Sequence, residues 1–67
     1  MIRLRVKDIL KERDISVYEF NKQIDISENA LRDMVNNKTK SIRFENIEAL
    51  CNALDCTPND LFVITED

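Results

Sequence analysis

Glycine is absent from all 67 residues. Helix ends and tight turns commonly need one residue at positive φ, and glycine adopts that conformation at least cost. A chain without it must avoid such turns or give them to Asn and Asp, the residues that next best tolerate the left-handed region. Asp14, Asp25, Asn37 and Asp55 stand where four helices are expected to end. At least two of the four are expected at positive φ. Valine at a truly left-handed one should cost more than about 1 kcal/mol.

Hydrophobic spacing supplies the helices between those exits. Val6, Ile9 and Leu10 recur at helical intervals, so a first helix is expected over 6–13. Ser16 opens a second, with Glu19 three residues on as a capping box and Ile15 with Phe20 as a hydrophobic staple. Val17, Phe20 and Ile24 form its inner stripe, which predicts an end near Ile24 and a tight turn at Asp25-Ile26. Ser27 caps a third helix running to about Asn36. Ala30, Leu31, Met34 and Val35 fall on one side of it, and Glu28, Asn29, Arg32, Asp33 and Asn36 on the other. A polar loop follows over 37–43. Ile47, Leu50, Cys51 and Leu54 then mark a fourth helix over 44–54. Thr57-Pro58-Asn59-Asp60 starts a short fifth, with a cap, a proline at the first helical position and an acid at the third. Ile2, Leu4 and Val6 alternate with Arg3 and Arg5, a period-2 pattern that suits a short strand. Phe62 to Thr65 is its natural partner if extended. The fold class expected is all-α, a bundle of five short helices in one domain over 1–67, with a short terminal strand pair left open.

Composition narrows the function. No apolar run approaches the ~18 residues a membrane span needs, and no cationic start leads into a signal stretch. The expected location is the cytoplasm, with no membrane partner. Cys51 and Cys56 are too few for a disulfide scaffold, so both are read as small, reduced core residues. Histidine is absent, and no nucleophile or phosphate-loop motif occurs. No metal, cofactor or small-molecule ligand is expected, and no enzyme.

The net charge of −3 is unevenly spread. Residues 1–13 carry five bases against two acids. Residues 28–43 carry Arg32, Lys38, Lys40 and Arg43 against Glu28 and Asp33. From residue 44 onward there are six acids and no base. Screening over ~8 Å makes a polyanion respond to the local face, and the segment 37–43, basic or neutral throughout, is the best phosphate contact.

Two short helices joined by a brief turn, then a basic loop and another helix, form the layout of a helix-turn-helix. The carrying residues are Ile15-Ser16-Val17-Tyr18-Glu19-Phe20, Ile26-Ser27-Glu28-Asn29-Ala30-Leu31 and the run from Asn36 to Phe44. Over about 5–62 the sequence resembles the Xre-like family, the Cro and phage-repressor type of DNA-binding domain, and the run from Leu50 to Leu61 is similar to that family's fourth and fifth helices. The resemblance implies a lambda-repressor-like fold whose third helix enters the major groove. Glu28, Asn29, Arg32 and Asp33 would face base edges. The amides near Val17 and the amides and hydroxyl at Ser27 would hold phosphates. The loop Asn37, Lys38, Thr39, Lys40 to Arg43 would follow the backbone, with Arg43 leaning into the minor groove. Asn can pair bidentately with adenine and Arg with guanine. The sequence departs from the family at Val17, where Gln is frequent, at Asn21, where Ala is preferred, and at Asp25, usually Gly. Glu28 and Asp33 add carboxylates to the reading face. Asn21 shares the inner face of its helix, so its amide needs a hydrogen-bond partner.

The function expected is sequence-specific binding of double-stranded DNA by a transcriptional regulator, a repressor, acting as a homodimer. The strand edge or the apolar run Phe62-Val63-Ile64 would join the copies. The alternative is a protein-interaction module on the same fold, an antirepressor or antitoxin-like adaptor, which the acidic second half would suit. For Tyr18 a packing or rim role is expected rather than base stacking.

Overall fold

In the computed structural model, which describes residues 1–66, Asp14, Asn37 and Asp55 take φ of 56°, 58° and 50°. Each leaves a helix by the same device. The amide after the left-handed residue reaches back five positions: Ile15 to the Leu10 carbonyl at 2.9 Å, Lys38 to Asp33 at 2.8 Å and Cys56 to Cys51 at 3.0 Å. These are Schellman closures, which satisfy carbonyls the helix end would otherwise orphan. Three of the four candidates thus meet the expectation of at least two, and Asp25 is the exception. It is not at positive φ, because the second helix has already ended.

The order is β1 (Ile2–Leu4), α1 (Val6–Glu12), α2 (Val17–Asn21), α3 (Glu28–Val35), α4 (Phe44–Leu54), α5 (Pro58–Leu61) and β2 (Phe62–Ile64). The fold is therefore the expected compact set of five short helices, with the terminal strand pair formed as one small sheet. Helix α4 has the expected bounds. Helix α2 is shorter than its apolar stripe suggests. The amides of Lys22 and Gln23 bond to Glu19 and Phe20, three residues back, and tighten the last turn. The side-chain amide of Asn21 then donates to the Ile26 carbonyl at 2.8 Å and folds the turn over 22–27. That is the partner its half-buried amide required. Ser16 accepts from the Glu19 amide at 3.1 Å, but its hydroxyl donates to the Glu19 carboxylate, so only one arm of the expected capping box forms. At α5 the Thr57 amide and hydroxyl both donate to Asp60 Oδ2, and the box is closed.

Core side chains come from every helix: Val6, Ile9 and Leu10 of α1, Phe20 of α2, Leu31, Met34 and Val35 of α3, Leu50, Cys51 and Leu54 of α4 and Leu61 of α5, with Ile26 from the turn. Among the described residues no polar or charged residue is buried. The sheet closes the chain ends. It is antiparallel, with Ile2 opposite Ile64, Arg3 opposite Val63 and Leu4 opposite Phe62. The bonds Arg5 to Leu61 and Thr65 to Met1 place odd-numbered β1 residues toward β2. Leu4 therefore aims its backbone outward, and Asn37 meets it: the Leu4 amide donates to Asn37 Oδ1 at 2.7 Å, and Asn37 Nδ2 donates to the Leu4 carbonyl at 3.1 Å.

Asn37 thus combines a left-handed exit with a clamp on a strand. Asn37→Ala should cost about 2–3 kcal/mol from the two lost partners and the φ penalty. Asn37→Gly, which keeps the backbone freedom, should cost less, and urea denaturation of both variants checks the order.

The exit of α4 turns Cys56 back beside Cys51, whose carbonyl accepts from the Cys56 amide at 3.0 Å. Burial, then the neighbouring Cys51 and Asp60, raise the Cys56 pKa against a smaller opposing effect of Arg13. The folded state favours the neutral thiol, so this contribution is full below the ordinary thiol pKa and is lost as pH rises through and above it. Melting temperature should fall through the alkaline thiol range, and Cys56→Ala should flatten that fall.

Candidate nucleic-acid interface

Burial divides α3 along the line its periodicity draws. Leu31, Met34 and Val35 are buried, whereas Glu28, Asn29, Arg32, Asp33 and Asn36 are exposed. The helix is seated by its cap: Ser27 Oγ accepts from the Ala30 amide at 3.2 Å, and the Ser27 carbonyl accepts from Leu31. The amides of Glu28 and Asn29 then lie at a helix N-terminus with no intrahelical acceptor. Such a terminus carries partial positive charge toward solvent.

The outer row is partly self-paired. Arg32 Nη2 donates to Glu28 Oε1 at 2.6 Å, one turn away, and both side chains are largely exposed. Exchange of this pair for another partner is cheap, because an exposed ion pair is worth ~1 kcal/mol or less. The side chains of Asn29 and Asp33 have no hydrogen-bond partner among the described residues. Adenine or cytosine edges are the bases whose donors and acceptors such groups match.

Beside α3 lies the loop from Asn37 to Arg43. Lys38 and Lys40 are exposed and unpaired among the described residues, and Thr39 is half-buried. The Asn37 side chain is committed to Leu4, which anchors the loop and removes that amide from the exposed set. Arg43 precedes α4, is 81% exposed, and donates through Nη1 to Glu45 Oε1 at 3.2 Å. Ala30, Asp33, Met34, Thr39, Ile42 and Arg43 help line a groove of about 350 Å³ between α3 and this loop.

A larger cleft of about 530 Å³ opens on the other flank, where α1, α2 and α3 meet. It brings Val17, Glu28 and Arg32 together with Lys7, Tyr18 and Lys22. Val17 is half-buried against the core and offers this cleft no polar side-chain atom. Tyr18 is 65% exposed, and the Lys22 ammonium lies 4.3 Å from its ring centroid. Lys7 and Lys22 are additions to the residues picked from sequence. Lys22 stands four residues after Tyr18, the spacing at which helical side chains meet. In sequence its charge stands among Asp14, Glu19 and Asp25, which make residues 14–27 net acidic.

The descriptive model of the Cro/C1-type helix-turn-helix DNA-binding domain matches residues 5–67. The chain belongs to that family. A Bacillus subtilis protein, the HTH-type transcriptional regulator YozG, is 33% identical over 66 residues, which spans 98% of this chain and 79% of that protein. A crystal structure of a Bacteroides fragilis protein, provisionally assigned to DNA binding, superposes with a TM-score of 0.78. The match covers 94% of this chain and all of that one at 22% identity, and so speaks for the fold. Helices α2 and α3, joined by the turn over 22–27, have the layout of a helix-turn-helix pair. No helix among the described residues is long and apolar enough to cross a membrane.

The Asn21 bond to Ile26 fixes the turn between that pair. Asn21→Ala should leave the Ile26 carbonyl short of a partner and cost about 1–2 kcal/mol. The expected loss is read from thermal unfolding, with local amide exchange faster over 22–27 than elsewhere.

Proposed function

We propose that this chain binds double-stranded DNA sequence-specifically and regulates transcription, with α3 reading the major groove. The observation that carries the reading is the outward row Glu28, Asn29, Arg32 and Asp33 on a capped helix, flanked by Lys38 and Lys40. The helix would present hydrogen-bonding groups to base edges while the lysines and the Ser27 terminus hold phosphates. Arg43 would leave Glu45 for the minor groove. Lys7 and Lys22 would give the flanking cleft a second phosphate contact. The two carboxylates favour sites with cytosine at the facing positions and penalise others, which trades affinity for discrimination. Repression is the regulatory outcome that needs only occupancy of the DNA.

A homodimer fits this reading, since one small domain covers a short half-site and two copies would span sites ~34 Å apart. Ile2 and Ile64 face each other across the sheet on the side where Leu4 and Phe62 pack on the core, yet are 65% and 79% exposed. This apolar overhang suits a second copy. The cytoplasm, or any compartment that holds the DNA, is the place of action.

Titration of labelled duplex DNA at two salt concentrations tests the reading. Binding should weaken steeply with salt, and Lys40→Ala should weaken it uniformly across sequences and lower the logarithmic salt slope by about 1. Asn29→Ala should instead change the sequences recovered by selection from a random pool, with a loss of about 1–3 kcal/mol on the preferred site. Absence of binding even at low salt would turn the assignment to a protein-interaction module. Ile64→Asp should leave the fold intact and shift sedimentation toward the monomer.

A further inference from the structure

Phe44 is the most exposed large hydrophobic side chain among the described residues, at 90%. Single exposed apolar residues are ordinary, so the exposure matters only through its setting. Ile42 and Ile47, on either side in sequence, both pack against the core, and Phe44 does not. It occupies the first position of α4, where an aromatic residue brings no helix-forming advantage. Directly before it stands Arg43, 81% exposed, at the end of a segment that holds Lys38, Lys40 and no acid. The next residue, Glu45, has its carboxylate engaged by Arg43.

Within seven residues of sequence the segment 38–44 thus offers two unpaired lysines, an exchangeable arginine and an exposed apolar ring, which together suit an occupant with both anions and apolar surface. A duplex backbone has both in one stroke, because deoxyribose carbons lie between successive phosphates. A protein partner would need acidic groups placed around an apolar pocket. We propose that Phe44 packs on the deoxyribose wall of the minor groove, beside the phosphates taken by Lys38 and Lys40, as an affinity residue that does not distinguish sequence. The proposal rests on the DNA-binding reading above and adds an apolar contact to its ionic ones. Contacts to sugars and phosphates fix a protein's position on the duplex without reading bases.

The test uses the full chain and a fluorescein-labelled duplex of random sequence, titrated at two salt concentrations. Phe44→Ala should weaken binding about 10-fold, consistent with loss of one buried aromatic side chain. Its salt slope should match the wild type, because no phosphate charge is neutralised by a phenyl ring. Phe44→Leu should recover part of the loss. Melting temperature should be unchanged in both variants. The chain has no tryptophan, so Phe44→Trp provides a clean emission signal, which should become shielded from acrylamide when the duplex is added. Wild-type affinity in Phe44→Ala, or an unshielded Trp in the bound state, would overturn the proposal while DNA binding itself stood. A shift in sedimentation of DNA-free Phe44→Ala would overturn it in favour of a contact between copies. Failure of the wild type to bind any duplex at low salt would overturn both readings.

Discussion

The two hydrogen bonds between the Asn37 side chain and the Leu4 backbone tie together parts of the molecule far apart in sequence. Asn37 ends α3 in the left-handed region and begins the cationic loop. Leu4 lies in the strand that joins the chain termini. Through this junction the exit of α3, the origin of the loop and the sheet share one fixed point. A domain of this size has on the order of 3–10 kcal/mol of stability to lose, so a junction worth two or three is a large share. It also explains how the loop is anchored in a chain with no glycine: the residue that supplies the turn also supplies the tether.

The electrostatic design is local. In a chain with an acidic total, Lys7 from α1, Lys22 after α2 and Arg32 from α3 still meet in one cleft, while Lys38, Lys40 and Arg43 come from the loop. Glu28, Asp33 and Glu45 are the acids set among them. Arg32 and Arg43 each rest on an exposed carboxylate, Glu28 and Glu45. Those pairs hold the guanidinium groups in place at small energetic cost to later exchange.

Most of the architecture was legible because it is written in periodicity. The inner stripe of α3 and the bounds of α4 follow directly from the spacing of apolar residues. Asp14, Asn37 and Asp55 follow from the chemistry of turns without glycine. What escaped depended on contacts between distant residues or on competition within a turn. The apolar stripe through Ile24 could not reveal that Asn21 would capture the Ile26 carbonyl and end α2 early. Likewise, nothing in the loop composition marks the Asn37 amide as partner to Leu4 rather than as a surface group. The polar row of α3 and the cationic loop were visible in sequence. Lys7 and Lys22 were not, because the cleft that unites them exists only once three helices have packed.

The Asn37 clamp has one more effect, on how many copies of the chain can join. A two-stranded sheet with both borders open offers two sticky sides, and molecules with two such sides polymerise without limit. Here Asn37 occupies the outer border of β1 at Leu4, and β2 has no comparable side-chain clamp among the described residues. A body with a single adhesive border has a valence of one. Were copies to join through that border, growth by this route would stop at two and could not seed a fibre.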